Sequence, residues 1–322
     1  MLITILLLII GLLLVVVGAD YFIAGSSLIA KRFGIPKLII GLTIVAIGTS
    51  APELAINIIS SLGGHNDLAL GNILGSNISN IFLIFAGASL FVNKVSISKN
   101  SLQQVIVGFA VSIMITLAAY TSIGGHMRIV PVEGIILFLT GLVYWFYLYK
   151  ITKSNDERLE DDDIEDNKLR TIKSLWLVIM ITITGLVALL YGSNLVTKSA
   201  VEIAKILGIS ELIISGTIIA IGTSLPELVT SIQAARQKQF DLLIGNVVGS
   251  NIVNTLFILS SSAIISPVLI SGHISTFFLL TNIIASFLLL IGFVLFENRV
   301  FKRWQGIVFI VLYIAFLIYS FI

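Results

Sequence analysis

Ten long apolar runs dominate this sequence and constrain its fold more than any other feature. Each is long enough to cross a bilayer, which takes about 20 apolar residues per helix. Hydrophobic residues make up 57% of the 322-residue chain and charged residues only 11%, far from the balance of a soluble domain. The runs lie near residues 2–30, 35–62, 68–92, 102–121, 129–150, 174–207, 209–235, 241–266, 275–296 and 304–322. The sequence therefore predicts an all-α integral membrane protein with ten transmembrane helices.

A polar motif recurs inside two of these runs. Residues 48–53 read GTSAPE, and residues 222–227 read GTSLPE. The same spacing of 174 residues relates GNILGSNISN at 71–80 to GNVVGSNIVN at 245–254. Between 11–80 and 185–254, roughly 30 of the 70 aligned positions are identical, as expected for an internally repeated transporter. The chain therefore contains a duplicated unit.

The number of spans between the copies predicts how they are arranged. Five spans separate equivalent helices, so equivalent helices cross the membrane in opposite directions. We therefore expect two inverted five-helix repeats, residues 1–151 and 174–322, joined by a charged linker at 152–173. Inverted repeats bring their equivalent polar segments together near the membrane midplane.

The distribution of basic residues predicts the orientation. Most Lys and Arg residues fall in the turns after the odd-numbered spans, and the other side has little beyond Arg128, Lys198 and Lys205. The positive-inside rule then puts both termini outside and the central loop in the cytoplasm, with the chain in a plasma or inner cell membrane.

The central loop carries the acidic run EDDDIED at 160–166. A calcium-sensing segment is one interpretation of it. Such runs are usually solvated and disordered, and we assign this one the linker role.

Each copy of the motif places one carboxylate, Glu53 or Glu227, inside an apolar run. Ionisable groups at bilayer depth are costly and indicate an ion pathway by default. Two carboxylates related by an internal repeat predict a cation transporter, and we expect them to face each other.

The proline in each motif predicts a break in the helix. Pro52 and Pro226 have no N–H to donate to the carbonyl four residues earlier, so each helix should kink where its polar residues lie. Polar residues also recur every four positions in the third and eighth spans: Asn72, Ser76 and Asn80, and Asn246, Ser250 and Asn254. Hydroxyl, amide, carbonyl and carboxylate oxygens suit calcium or sodium rather than zinc or copper.

Other polar residues have simpler explanations. A single Ser or Asn residue in a membrane helix often does no more than form a hydrogen bond with a neighbouring helix. Asp20 and Glu202 have no acidic repeat mates, so we assign them structural roles. Asp67 and Asp241 do repeat, but they open spans 3 and 8, where an acid stabilises a helix N-terminus.

The doubled motifs Gly-Thr-Ser-x-Pro-Glu and Gly-Asn-x-x-Gly-Ser-Asn resemble the two alpha repeats of the sodium/calcium exchangers, within the cation/calcium antiporter superfamily. The resemblance covers most of both halves. It implies ten helices in two inverted halves, with ions bound between helices 2, 3, 7 and 8, and exchange of Ca²⁺ for Na⁺ by alternating access. The ligands it implies are the backbone at Ala46 and Ala220 and the side chains of Thr49, Ser50, Glu53, Ser76, Asn80, Thr223, Ser224, Glu227, Ser250 and Asn254.

The same resemblance implies no cofactor beyond the transported Ca²⁺ and Na⁺. The lipid bilayer is the expected partner, and neither nucleic acid nor an obligate protein partner is indicated.

One position departs from the family pattern. Several members, including potassium-dependent ones, have Asp where this chain has Asn254. The formal charge of the site is then −2, which balances one Ca²⁺ or two Na⁺. The proton/calcium branch typically has Gly-Asn-x-x-Glu in place of the first motif, which this chain lacks. A proton-coupled calcium antiporter is the alternative.

Two further classes fit the sequence less well. A cation channel usually builds its filter from symmetric subunits, whereas this chain forms a two-fold site from its own halves. An enzyme is not expected, because the sequence has no nucleophile and base pair, no glycine-rich phosphate loop and no cysteine.

Overall fold

In the part of the chain that the structure describes, the regular structure is helical apart from four short strands. The computed structural model describes residues 2–63, 66–120, 128–154, 169, 171–207, 220–270, 272–295 and 299–320. In that part of the chain, eight helices are long and apolar enough to cross a membrane, and one bent pair forms a ninth crossing. The predicted span at 209–235 lies partly outside the described residues, and the acidic run at 160–166 lies wholly outside them.

The first half contains α1 to α6. Its elements are α1 (Leu2–Phe33), α2 (Lys37–Thr49), α3 (Ala51–Leu62), α4 (Asn66–Ser79, continued by Asn80–Phe85 and Ala86–Leu90), β1 (Lys94–Ser96), α5 (Lys99–Tyr120), β2 (Arg128–Ile129) and α6 (Pro131–Ser154).

The second half contains α7 to α12. Its elements are α7 (Leu175–Ile206), α8 (Ala220–Thr223), α9 (Leu225–Arg236), α10 (Phe240–Val253, continued by Asn254–Leu259 and Ser260–Ile265), β3 (Val268–Leu269), α11 (Gly272–Val294), β4 (Val300–Lys302) and α12 (Arg303–Ser320).

The bend predicted from Pro52 is present between α2 and α3, whose axes differ by 51°. Ser50 joins the two helices with φ −80° and ψ 10°, and Ser224 joins α8 and α9 with φ −87° and ψ 6°. Pro52 and Pro226 each lie in the first turn after the bend, where a missing N–H does not weaken the helix. The proline thus starts a new helix at each motif.

Two π-helical segments occur at equivalent places in the repeat. They are Asn80–Phe85 in α4 and Asn254–Leu259 in α10, and each begins at a predicted site asparagine. A π-helical turn changes the face on which later side chains lie, and such turns are frequent at functional sites.

The core is formed by α10 and α4. In the central window of α10, 94% of the residues are buried, and in that of α4 78% are buried. The corresponding fractions for α1, α6, α7 and α12 are only 22–28%. The outer helices keep large apolar side chains exposed, as a surface in contact with lipid requires.

The outer helices α1 and α7 pack against each other through glycines. A Cβ atom added to Gly18 would lie 2.6 Å from the backbone nitrogen of Leu189, and one added to Gly185 would lie 2.8 Å from that of Phe22. Backbones in such close contact allow extensive van der Waals packing. The two helices therefore form a closely packed pair.

Two short antiparallel ladders join the halves. β1 pairs with β4, with Lys94 opposite Lys302, and β2 pairs with β3, with Arg128 opposite Leu269. Each ladder takes one strand from each half.

The end of the predicted linker is packed against α1. The side chain of Arg32 donates hydrogen bonds to the carbonyls of Ile172 and Lys173. Leu169 is buried in a small apolar cluster with Leu28 and Val178. The described residues at this end of the linker are therefore docked on the first helix.

Candidate ion-binding site

Two buried carboxylates lie in the first turns of α3 and α9. Glu53 is 1% exposed and Glu227 is 2% exposed, and they are close enough to repel each other electrostatically. The hydroxyl of Ser50 donates to Oε1 of Glu227 at 3.2 Å, which links the first half to the second. A helix N-terminus stabilises a negative charge, so the bends explain how two acids are accommodated in one core.

Several buried oxygen atoms around these acids have no hydrogen-bond partner. They are Oε2 of Glu53, Oε2 of Glu227, Oδ1 of Asn80, Oδ1 of Asn254 and Oγ of Ser250. An unsatisfied buried polar atom costs about 1–3 kcal/mol. An oxygen-only set of this kind matches the ligands that hard cations prefer.

The hydroxyls of the two motifs differ in their surroundings. Thr49 is fully buried, and its Oγ1 lies 3.0 Å from the carbonyl oxygen of Val45 and 3.2 Å from Oδ1 of Asn246. Ser224 is buried and Thr223 is partly exposed. The repeat therefore places equivalent hydroxyls in unequal environments.

The backbone positions implied by the family resemblance each lie four residues before a bend, Ala46 before Ser50 and Ala220 before Ser224. The carbonyl of Ala46 accepts a hydrogen bond from the backbone N–H of Ser50 at 3.0 Å. A carbonyl oxygen has a second lone pair, so this bond leaves capacity for a cation. Ala220 lies in α8.

The site asparagines are held by neighbouring amides across the two halves. Nδ2 of Asn80 donates to Oδ1 of Asn251 at 2.8 Å, and Nδ2 of Asn254 donates to Oδ1 of Asn77 at 3.1 Å. These two bonds are related by the 174-residue offset. In each, the amide nitrogen is engaged and the amide oxygen remains without a partner.

Asn246 is surrounded by hydrogen-bond partners. Its Nδ2 lies 3.2 Å from the carbonyl oxygen of Glu227, 3.0 Å from Oγ1 of Thr230 and 2.8 Å from Oγ of Ser231. Its repeat mate is Asn72, whose Nδ2 is buried without a partner. The two equivalent asparagines are therefore in different hydrogen-bonding environments.

A cavity of about 250 Å³ lies beside Asn72, between α4, α11 and α12. Its polar lining includes two predicted site residues, Ser76 and Ser224, and its far end reaches Ser320 near the end of α12. The cavity thus connects one end of the helix bundle to the candidate site.

Other acids have structural contacts. Asp20 accepts a hydrogen bond from Gln237, and Glu202 accepts one from Thr4. Asp241 was expected to stabilise its own helix. Asp241 does lie in the first turn of its own helix, and its carboxylate also accepts hydrogen bonds from the backbone of Ser98 at 3.2 Å and from the hydroxyl of Ser101, at the N-terminus of α5.

Sequence reasoning gave no role to Asn77, Asn251 or Asn57, although the first two occur in both motif copies. Asn57 donates to the backbone carbonyl of Glu53 at 2.9 Å. The identity of Asn77 and Asn251 in the two copies was the available signal. Among the described residues, His, Cys, Asp and Glu form no group of three or more, in line with a site of two acids and neutral oxygens.

Comparison with known proteins identifies the family. The model of the family described as sodium/calcium exchanger protein matches residues 3–150 and 177–322. The sodium/calcium exchanger MaX1 of Methanosarcina acetivorans is 32% identical, with 98% of each chain covered. The putative antiporter CaxA of Alkalimonas amylolytica is 37% identical over 83% of this chain and 82% of its own.

A solved structure has the same architecture. The sodium-calcium exchanger NCX_Mj matches with a TM-score of 0.81 and 28% identity, over 98% of this chain and 97% of the solved one. The similarity covers both halves. The protein is thus a multi-pass membrane transporter of the cation/calcium antiporter type, and its chain belongs to the sodium/calcium exchanger family.

Proposed function

We propose that this protein exchanges Ca²⁺ for Na⁺ across the membrane as a secondary active antiporter. The observation that carries the proposal is the pair of buried carboxylates, Glu53 and Glu227, surrounded by buried oxygens without hydrogen-bond partners. The ligands are the backbone of Ala46 and Ala220 and the side chains of Thr49, Ser50, Glu53, Ser76, Asn80, Thr223, Ser224, Glu227, Ser250 and Asn254.

The charge of the site explains why exchange would be obligatory. With Asn at both 80 and 254, the formal charge is −2, which one Ca²⁺ or two Na⁺ neutralise. An empty site would carry both charges through a low-dielectric region, which is strongly unfavourable. The site therefore changes sides only when loaded, and one ion is exchanged for the other.

We further propose ten transmembrane helices in two inverted five-helix repeats, residues 1–151 and 174–322, joined by the linker at 152–173. Four observations support this arrangement. The bends at Ser50 and Ser224, the two π-helical segments, the two amide pairs and the two strand ladders all recur at or close to the 174-residue offset.

Unequal halves support alternating access. The cavity lined by Asn72, Ser76 and Ser224 leads to the site from one end of the bundle. In the second half, the residue equivalent to Asn72 is Asn246, and its side chain is hydrogen-bonded to Thr49 and Ser231. We propose that transport exchanges these two arrangements, so that the cavity forms beside Asn246 when Asn72 acquires partners.

For the orientation, we propose that both termini lie outside a plasma or inner cell membrane and that the central loop is cytoplasmic. The supporting observation is the concentration of Lys and Arg in turns on one side. In this orientation, the cavity beside Asn72 opens outward, because α4 begins and α12 ends on the outer side.

Site-directed labelling tests the orientation. The chain has no cysteine, so Ser154→Cys and Asn66→Cys each introduce a single reactive thiol. In intact cells or right-side-out vesicles, an impermeant maleimide should label the variant at Asn66 and spare the one at Ser154 until the membrane is opened. Labelling of both from one side would contradict the inverted topology.

Calcium uptake into proteoliposomes tests the function. We expect ⁴⁵Ca²⁺ uptake when sodium is trapped inside, and little uptake when only a potassium or proton gradient is imposed. Uptake driven by a proton gradient without sodium would replace the proposal with a proton-coupled antiporter. Single-channel currents in planar bilayers would instead indicate a channel.

A further inference from the structure

The strongest unassigned feature is a pair of buried amides, Asn77 and Asn251, between α4 and α10. They are 1% and 8% exposed, and each precedes a site asparagine by three residues. Each binds the site asparagine of the other half: Asn77 binds Asn254 and Asn251 binds Asn80. Neither carries an ionisable group, and the proposed exchange does not use them.

The surrounding bonds determine which way these amides face. Nδ2 of Asn251 donates to the backbone carbonyl of Asn77 at 3.1 Å. A backbone carbonyl only accepts, so the oxygen of Asn251 must be the atom turned toward Asn80. Asn80 must then present its nitrogen to Asn251, which leaves its own oxygen on the other side.

The second amide has the equivalent orientation in the structure. Nδ2 of Asn77 donates to the hydroxyl of Thr255 at 3.1 Å, and its Oδ1 accepts from Asn254. Asn254 therefore also presents its nitrogen to the other half. Oδ1 of Asn80 and Oδ1 of Asn254 are both buried without hydrogen-bond partners, as is Oδ1 of Asn57.

We propose that Asn77 and Asn251 are positioning residues, which hold the amides of Asn254 and Asn80 with their oxygens toward the transported cation. The inference rests on the proposed function, because it needs a cation at the site. A flipped amide would turn two N–H donors toward the ion and remove a ligand. Each site amide is held by a residue of the opposite half. Both amide oxygens therefore face the cation only when α4 and α10 are correctly aligned with each other.

A double-mutant cycle tests this role. We expect Asn251→Ala and Asn80→Ala each to raise the Ca²⁺ concentration for half-maximal uptake by about 10- to 100-fold, the usual effect of losing a residue that orients a metal ligand. The double variant should be no worse than about twofold beyond Asn80→Ala, because Asn251 acts through Asn80. The maximal rate should change less than the half-saturating concentration.

A purely structural role would give a different result. If the effects of Asn251→Ala and Asn80→Ala multiply in the double variant, or if Asn251→Ala leaves half-saturation unchanged, the proposal is overturned. Uptake by the wild-type protein distinguishes failure of the positioning role from failure of the proposed function. If the wild type takes up no Ca²⁺, the proposed function itself is wrong.

The other half supplies an independent cycle. Asn77→Ala and Asn254→Ala should show the same coupling, so the proposal stays testable if one variant does not fold. Gln104→Ala is the matched control, because it removes a buried amide that accepts a hydrogen bond from Tyr144 at 2.8 Å, between α5 and α6. Its half-saturating Ca²⁺ concentration should stay within about twofold of wild type, and a larger shift would show that any lost buried amide has this effect.

Discussion

Replacing Glu53 or Glu227 with glutamine is expected to reduce Ca²⁺ exchange by at least about 100-fold while the protein still folds. The amide keeps the shape of the side chain but removes one of the two charges that the ion must balance. The repulsion between the two buried acids also disappears, so the folded state should not be weakened. Sodium-driven ⁴⁵Ca²⁺ uptake, together with the yield of monodisperse protein, measures both effects.

Glu202→Gln is the matched control for this prediction. Glu202 is exposed, lies near the end of α7 and accepts a hydrogen bond from Thr4. Its replacement should leave exchange within about twofold of wild type, because a hydrogen bond outside the site contributes little to ion binding. Near-normal exchange by either Glu53→Gln or Glu227→Gln would refute the site.

Asn254→Asp is expected to make transport sensitive to protons or potassium. The variant site has a formal charge of −3, so one Ca²⁺ leaves a net charge of −1 that must be neutralised before the loaded site changes sides. Uptake should therefore fall as pH rises, by up to about tenfold per pH unit for one coupled proton. Added potassium should restore it at high pH.

The contact with Asn77 strengthens this expectation. Asn77 presents its oxygen to position 254, so an aspartate there brings two acceptors together unless the variant side chain carries a proton or Asn77 turns over. Asn80→Asp is the companion variant and should behave similarly, because Asn251 presents its oxygen in the same way. The unmodified protein should be indifferent to potassium and depend only weakly on pH between about 6.5 and 8, provided that the two glutamates remain ionised while cations are bound. A pH profile for Asn254→Asp that matches wild type would contradict the charge argument.

The sequence predicted the features that depend on local chemistry. The apolar runs predicted the eight helices and the one bent pair of helices that are long and apolar enough to cross a membrane in the described residues. Pro52 predicted a bend that is present, and the repeat predicted that Glu53 and Glu227 would lie close together. In each case the physical cause acts within one segment or follows directly from the duplication.

Other features depend on contacts between the halves and were not predictable. Two of the π-helical segments begin at Asn80 and Asn254, but nothing in the local residue pattern distinguishes them from α-helix. Asp241 lies in the first turn of its own helix as predicted, but its contact with the start of α5 could only be found by knowing which helix lies beside it. The pairing of Asn77 with Asn254 likewise appears only when α4 and α10 are placed together.

The hydrogen-bond partners of Asn246 also affect the relative populations of the two proposed states. At the 174-residue offset, the hydroxyl of Thr230 corresponds to the hydrocarbon side chain of Ile56. If Asn72 took up the arrangement that Asn246 has now, it would lack that hydroxyl. A net contribution of about 0.5–1.5 kcal/mol per hydrogen bond then favours the present state of the ion-free protein by roughly twofold to tenfold. Ser231, another hydroxyl partner of Asn246, likewise corresponds to Asn57. Unequal side chains at equivalent positions thus give a duplicated chain a preferred resting state, open to one side of the membrane before any ion arrives.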